Sequence, residues 1–241
     1  MIKRHKAMEM KEGDGVNVYR LMPIAGFRNY DPFVLWDDFT ITPGSGFPDH
    51  PHRGFEAITY LYNGSIKHTD NLGNSSTVTA GGAQRFTAGS GIVHSEVPNE
   101  ERPTRGIQCW INLPGRLKQI DPAYQQVDDN EFPVIEIEAG RIKVLVGEGS
   151  PLKIMTPLRY LDIELNGSAS HIEPIPKGMR GFLYVAEGEV TINQQPYRKG
   201  ESAFFENEKE VVVGVENKAR VMLAFGKPHG EPIIQYGPYV D

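Results

Sequence analysis

The chain has 241 residues, enough for one large domain or two of ordinary size. Its 31 acidic residues outnumber its 25 lysines and arginines, and the resulting charge of −6 argues against a surface built to bind nucleic acid. A single cysteine, Cys109, excludes an intrachain disulfide, and no apolar run has the length of a signal peptide or a transmembrane span. We therefore expect a cytoplasmic protein without membrane contact.

The predicted elements are short β-strands from one end of the chain to the other. The basic run 3–6 precedes them, and we interpret it as a solvated tail. Hairpin and turn signals such as Asn63-Gly64 and Pro114-Gly115 separate the strands. The predicted strands cover residues 33–41, 55–62, 75–80, 83–87, 107–113, 135–138, 141–146, 158–165, 181–186, 189–193, 210–216 and 220–225. Regular spacing of this kind is typical of all-β sandwiches and barrels.

A polar stretch from residue 114 to 132 divides the chain, and it contains no convincing strand pattern. Asp121-Pro122 could begin a single helical turn there, with Asp121 as the N-cap. The halves on either side resemble each other, since residues 60–66 and 184–190 share an aromatic-led strand, a glycine turn and a return strand. We predict a duplicated β-barrel with domains at 1–125 and 126–241.

Two motifs in the first half carry ligand-type side chains at positions i and i+2. His50 and His52 form one pair, and His94 and Glu96 form the other. Side chains two apart on a β-strand point to the same face, so three imidazoles and a carboxylate could converge inside one barrel. Strand parity does not decide between Glu96 and Glu56 as the carboxylate.

This donor set suits a divalent transition metal in an open site. Imidazole binds iron, copper, nickel, manganese, cobalt or zinc, whereas a closed structural zinc site would be rich in cysteine. The lone histidines, which are His5, His68, His171 and His229, are assigned no role. Gln108 is a candidate polar contact near the metal. The aromatic residues near the motifs are interpreted mainly as barrel core; they are Trp36, Phe47, Phe55 and Trp110.

Four segments of the chain are similar to the signature of the pirin family, in the cupin superfamily. They are HPHRGFE at 50–56, TAGSGIVHSE at 87–96, RGIQCWINLP at 105–114 and EPIIQYGP at 231–238. The resemblance implies two tandem cupin barrels, with one metal, typically Fe(II), in the N-terminal barrel. It also implies that the metal ligands are His50, His52, His94 and Glu96, with Glu56 outside the coordination sphere, and that the last segment packs back on the first domain.

The resemblance further implies two classes of function. Some bacterial members are similar to quercetin 2,3-dioxygenases, which open a flavonol ring with O₂, and here Glu96 would act as the general base. Other members are regulatory proteins that act through a protein partner, and such a protein would use the metal as a redox sensor. A cupin isomerase or sugar-binding protein fits less well, because it does not explain the pirin-like segments. We favour the dioxygenase.

Overall fold

The chain folds into two compact β units. The structure, a computed structural model, describes residues 2–12 and 15–241. The N-terminal unit contains Met8–Glu131, Leu152–Thr156 and His229–Asp241, and the C-terminal unit contains residues 2–7, Phe132–Pro151 and Pro157–Pro228. Within the described residues, no helix is both long and apolar enough to cross a membrane.

Strand β1 (Lys3–Lys6) belongs to the C-terminal unit, and the next eleven strands build the N-terminal unit. These are β2 (Met8–Lys11), β3 (Val16–Met22), β4 (Phe33–Ile41), β5 (Phe47–His52), β6 (Phe55–Asn63), β7 (Ser65–Asp70), β8 (Ser75–Thr79), β9 (Ala83–Thr87), β10 (Ile92–Pro98), β11 (Thr104–Asn112) and β12 (Ala123–Val127). Short 3₁₀ turns follow at Gly115–Leu117 and Asp129–Glu131.

The later strands build the C-terminal unit and close the chain. They are β13 (Val134–Ile137), β14 (Gly140–Val146), β15 (Leu158–Leu165), β16 (Ala169–Pro174), β17 (Arg180–Glu187), β18 (Glu189–Ile192), β19 (Gln195–Arg198), β20 (Glu201–Phe205), β21 (Glu210–Val215) and β22 (Ala219–Gly226). A last hairpin, β23 (Gln235–Tyr236) and β24 (Tyr239–Val240), lies in the N-terminal unit.

Each unit consists of a seven-stranded and a four-stranded antiparallel sheet. In the N-terminal unit the orders are β12-β9-β6-β11-β4-β3-β2 and β5-β10-β7-β8. In the C-terminal unit they are β1-β20-β17-β22-β15-β14-β13 and β16-β21-β18-β19. The same order therefore occurs twice, with β5 and β10 corresponding to β16 and β21. The predicted all-β duplication is confirmed.

Apolar side chains fill the space between the two sheets of each unit. The C-terminal unit has one continuous cluster that contains Leu183, Val213 and Phe225. The N-terminal unit has two smaller clusters, one around Phe55 and Trp110 and another that includes Phe39. Its interior also contains buried polar residues, which are His52, His68, His94, Glu56, Glu96 and Gln84.

Two predictions about local structure are wrong. The basic run at residues 3–6 is strand β1, paired with β20. The guanidinium of Arg4 also lies 3.9 Å from the centre of the Tyr197 ring on β19, an attractive contact with the same unit. Residues near Asp121 form no helical turn, because β12 begins at Ala123 and pairs with β9. β12 is an edge strand with half-buried polar side chains, so its hydrophobic pattern was too weak to predict it.

Candidate metal centre

Strands β5 and β10 bring three of the predicted ligands to one point. The two strands pair antiparallel, and His94 lies directly opposite His50 while Ile92 lies opposite His52. Because His50 and His52 are two residues apart on one strand, both rings point to the face on which His94 lies. His52 and His94 are buried and His50 is half-buried.

The three imidazoles are close enough to share one ion. One ring nitrogen from each of His50, His52 and His94 lies within 4.8 Å of the others. Nε2 of His94 is 3.2 Å from Nε2 of His50, and the ring centroids are 4.5 to 5.0 Å apart. Among the residues that the structure describes, this is the group of histidine, cysteine and acidic side chains that could hold a metal.

Hydrogen bonds from the outer nitrogens fix which nitrogen of His50 and His52 faces the centre. Nδ1 of His50 lies 2.7 Å from the carbonyl oxygen of Pro48, and Nδ1 of His52 lies 3.2 Å from that of Pro238. A carbonyl oxygen only accepts, so each Nδ1 carries the proton. In its neutral form, each ring therefore directs an unprotonated Nε2 lone pair inwards, as a metal ligand requires.

His94 is held by a second histidine that the sequence analysis left without a role. Nδ1 of His94 is 3.4 Å from Nδ1 of His68, whose Nε2 is 3.0 Å from a carboxylate oxygen of Asp70. If His68 is neutral, its Nε2–H donates to Asp70 and its Nδ1 accepts from His94, which leaves Nε2 of His94 free. The His68 ring stacks on Tyr124 at 4.1 Å, which further fixes it.

Burial keeps the central imidazoles in their neutral form. Burial, with the neighbouring His94 and His50, lowers the pKa of His52 to about 3. Burial, with the neighbouring His50 and His68, lowers the pKa of His94 to about 2. Only a neutral imidazole has a lone pair to give to a metal, so both rings are ready to bind at neutral pH.

The carboxylate of Glu96 lies on the same strand face as His94 and borders a cavity that His50 and His52 also line. Oε1 accepts hydrogen bonds from Gln84 and from the hydroxyl of Thr59, the latter at 3.1 Å. Oε2 accepts one, from Nε2 of Gln108 at 3.0 Å. These three hydrogen bonds hold the Glu96 carboxylate in place, and one lone pair of Oε2 is left free.

Glu56, the alternative carboxylate, uses both of its oxygens in hydrogen bonds to Thr87 and Met155. Oε1 accepts from the Thr87 hydroxyl at 2.7 Å and Oε2 accepts from the backbone N–H of Met155 at 2.8 Å. Burial raises the pKa of Glu56 despite these bonds. Glu56 thus ties the segment 152–156 to β6.

A cavity of about 370 Å³ opens onto the centre. Its polar lining near the three histidines consists of His50, His52, Glu96 and Gln108. The other residues of the wall are Glu12, Arg20, Pro23, Arg28, Leu35, Asp37, Phe47, Trp110, Gln235, Gly237 and Pro238. Phe47 and Trp110 line this cavity, so their interpretation as simple core was incomplete. Phe55 and Trp36 are fully buried, as core residues are.

The corresponding position in the C-terminal unit lacks a complete donor set. His171 and Glu173 lie on β16, where β5 carries His50 and His52, but β21 places Val213 opposite His171. Val213 belongs to the apolar core, and Glu173 accepts hydrogen bonds from Arg159 and His171. An apolar core thus replaces the third imidazole.

Two family models match the chain. The model described as "Pirin" matches residues 15–111, and the model described as "Pirin C-terminal cupin domain" matches residues 160–241. The first match contains all four predicted ligands, His50, His52, His94 and Glu96. Together the two matches cover most of the sequence.

Relatives and solved structures agree with these matches. Pirin-like protein 2 of Arabidopsis thaliana is 39% identical, over 100% of this chain and 79% of its own length. Human pirin is 38% identical, over 96% of this chain and 84% of its own length. The crystal structure of a quercetin 2,3-dioxygenase from Acinetobacter baumannii has a TM-score of 0.89 and 28% identity, covering 99% of this chain and 90% of that one.

Proposed function

Since this chain belongs to the pirin family, we propose that it is a metal-dependent dioxygenase that opens a flavonol such as quercetin with O₂. The observation that carries the proposal is the convergence of three histidine ring nitrogens, all within 4.8 Å of one another, beside a cavity large enough for a small aromatic molecule. The similarity to the Acinetobacter baumannii enzyme supports the same reaction.

We propose Fe(II) as the metal, held by His50, His52, His94 and Glu96. The imidazole-rich donor set fits iron, and it also fits Cu, Ni, Mn, Co or Zn. Three neutral imidazoles leave the charge of a dication uncompensated, and the free lone pair on Oε2 of Glu96 supports this carboxylate as the fourth ligand. When bound, the metal would supply Lewis-acid and redox chemistry to the substrate and O₂.

The residues around the centre have separate proposed roles. Glu96, once it loosens from the metal, accepts the proton of the flavonol hydroxyl, and Gln108 holds Glu96 in position through its Nε2–H. Phe47, Leu35 and Trp110 present apolar surface to the substrate rings and exclude water from the reacting carbon atoms. A cytoplasmic location would suit Fe(II) and the buried thiol of Cys109.

Aerobic incubation of the iron-loaded protein with quercetin tests the proposal. We expect loss of flavonol absorbance that depends on the metal and is abolished in His52→Ala. His171→Ala is the matched control, because His171 occupies the corresponding strand of the C-terminal unit and should leave turnover unchanged. Iron-loaded protein without metal-dependent turnover would contradict the dioxygenase and favour the alternative of a redox-sensing protein that acts through a partner.

A further inference from the structure

The segment 235–241 contacts the metal centre through its backbone. The carbonyl oxygen of Pro238 accepts the hydrogen bond from Nδ1 of His52 at 3.2 Å. Gln235, Gly237 and Pro238 also form part of the cavity wall beside His50 and His52. One strip of chain therefore both orients a proposed ligand and borders the proposed substrate site.

The half-buried ammonium group of Lys118 holds this segment in place. Nζ of Lys118 donates to the carbonyl oxygen of Val240 at 2.9 Å, to that of Gly54 at 3.0 Å and to Oδ1 of Asn112 at 2.8 Å. All three protons of the ammonium are used in these hydrogen bonds, and the carboxylates of Asp241 and Glu231 add electrostatic attraction. Lys118 therefore joins the segment to the turn that directly follows His52 and Arg53.

The same turn holds the segment by further contacts. The backbone N–H of Val240 donates to the carbonyl oxygen of Arg53 at 3.0 Å, and the Arg53 guanidinium pairs with Asp241 at 3.0 Å. Gly54 has a φ of +85°, and a Cβ at this position would collide with the carbonyl oxygen of Val240. The close approach of the two backbones thus requires glycine.

Val240 supplies the apolar part of the attachment. Its side chain is fully buried and packs in the cluster that contains Phe55, Phe86 and Trp110. Phe86 stacks on His52, and Trp110 meets the same ring edge-on at 5.0 Å. Val240, which anchors the segment, and the ring of His52, which the segment orients, therefore pack against the same aromatic cluster.

We infer that Lys118 is a positioning residue of the metal centre, although it touches none of the proposed ligands. By holding Val240 against Gly54, Lys118 keeps the Pro238 carbonyl on Nδ1 of His52 and so fixes the orientation and tautomer of that ring. The inference rests on the proposed metal site. Loss of such an outer contact typically weakens metal binding by about 10- to 100-fold.

The first test measures Ni(II) affinity by competition with a chromophoric chelator. We expect Lys118→Met to weaken Ni(II) binding by about tenfold or more. Lys11→Met is the matched control, because Lys11 is an exposed lysine on β2 of the same unit and should bind as the wild type does. A folded Lys118→Met protein with wild-type affinity would overturn the inference.

The second test uses the wild-type protein and needs no variant to fold. Coupling between two events is reciprocal, so if docking of the segment strengthens metal binding, metal must strengthen docking. Hydrogen exchange of the Val240 N–H should slow on addition of Ni(II), while the N–H of Val213 in the C-terminal core serves as the internal control.

The outcomes separate this inference from the metal site on which it rests. If wild-type protein binds no Ni(II), the proposed centre itself fails. If it binds Ni(II) and the Val240 N–H exchanges at an unchanged rate, the centre stands and the role of Lys118 is contradicted. If Lys118→Met does not fold, the exchange measurement alone decides.

Discussion

Burial gives the imidazoles of His52 and His94 pKa values far below that of an exposed histidine. Each ring is at most a few per cent exposed, and burial lowers the pKa of His52 to about 3 and of His94 to about 2. The sequence predicted these residues from their spacing on strands. It could not predict their tautomers, because the acceptor for His52 is a backbone carbonyl 186 positions further along the chain.

These pKa values predict how the stability of the metal-free protein depends on pH. In the unfolded chain both imidazoles take up protons below pH of about 6.5, whereas in the folded state they stay neutral until pH of about 3 or 2. The unfolded chain therefore binds more protons in this window, and the free energy of unfolding falls as the pH falls. We expect His52 alone to contribute a loss of roughly 2 kcal/mol between pH 6.5 and pH 4.5.

Urea unfolding in the presence of a chelator measures this loss. His52→Gln should unfold with a shallower pH dependence than the wild-type protein over the same range, because it lacks one group that the unfolded chain can protonate. Identical pH dependence in the two proteins would show that burial of His52 is not coupled to its protonation.

At the scale of elements, the decisive contacts are between strands that are distant in sequence. β10 pairs with β5 on one side and with β7 on the other, which places Asp70 opposite His94 and His68 opposite Glu96. The sequence shows β7 only as part of a hairpin. Since pairing partners are not visible in a hydrophobic pattern, His68 and Asp70 were missed while His50 and His94 were found.

This pairing predicts a measurable role for Asp70. Asp70→Asn keeps an oxygen for the turn, where Oδ1 accepts from the N–H groups of Leu72 and Asn74, but it removes the negative charge beside His68. We expect this variant to bind the metal about tenfold more weakly, because His68 is no longer held in the orientation in which it accepts the hydrogen bond from His94.

Calorimetric titration of Asp70→Asn with Ni(II) provides the measurement. Asp49→Asn serves as the control, because Asp49 is an exposed acidic residue on β5 that precedes His50 and has the opposite strand parity. Equal affinity of the Asp70→Asn and Asp49→Asn proteins would argue against the role of Asp70.

At the scale of the whole molecule, a duplicated β architecture carries a candidate metal centre in one of its two units. The sequence predicted the duplication, the family and the convergence of His50, His52 and His94, although the strands β5 and β10 that bear these residues were not among the predicted strands. The recurring sheet order explains why the second copy differs: its third imidazole position is Val213, inside an apolar cluster. Burial of polar rings without a metal or another partner would destabilise such a core.

Long-range pairing also explains what the sequence did not predict. β1 joins a sheet whose other strands begin more than a hundred residues later. Its residues are mostly exposed, so no apolar periodicity distinguishes it from a tail. The segment 235–241 contributes to the candidate metal centre through the backbone carbonyl of Pro238. Every residue type has such a carbonyl, so the sequence does not show which one accepts the hydrogen bond from His52.

Metal analysis of protein purified without a histidine tag tests the central claim most directly. After reconstitution with Fe(II), we predict one metal ion per chain in the wild-type protein, one in His171→Ala and none in His94→Ala. A wild-type chain without bound transition metal, or a His94→Ala chain that keeps a full equivalent, would contradict the account.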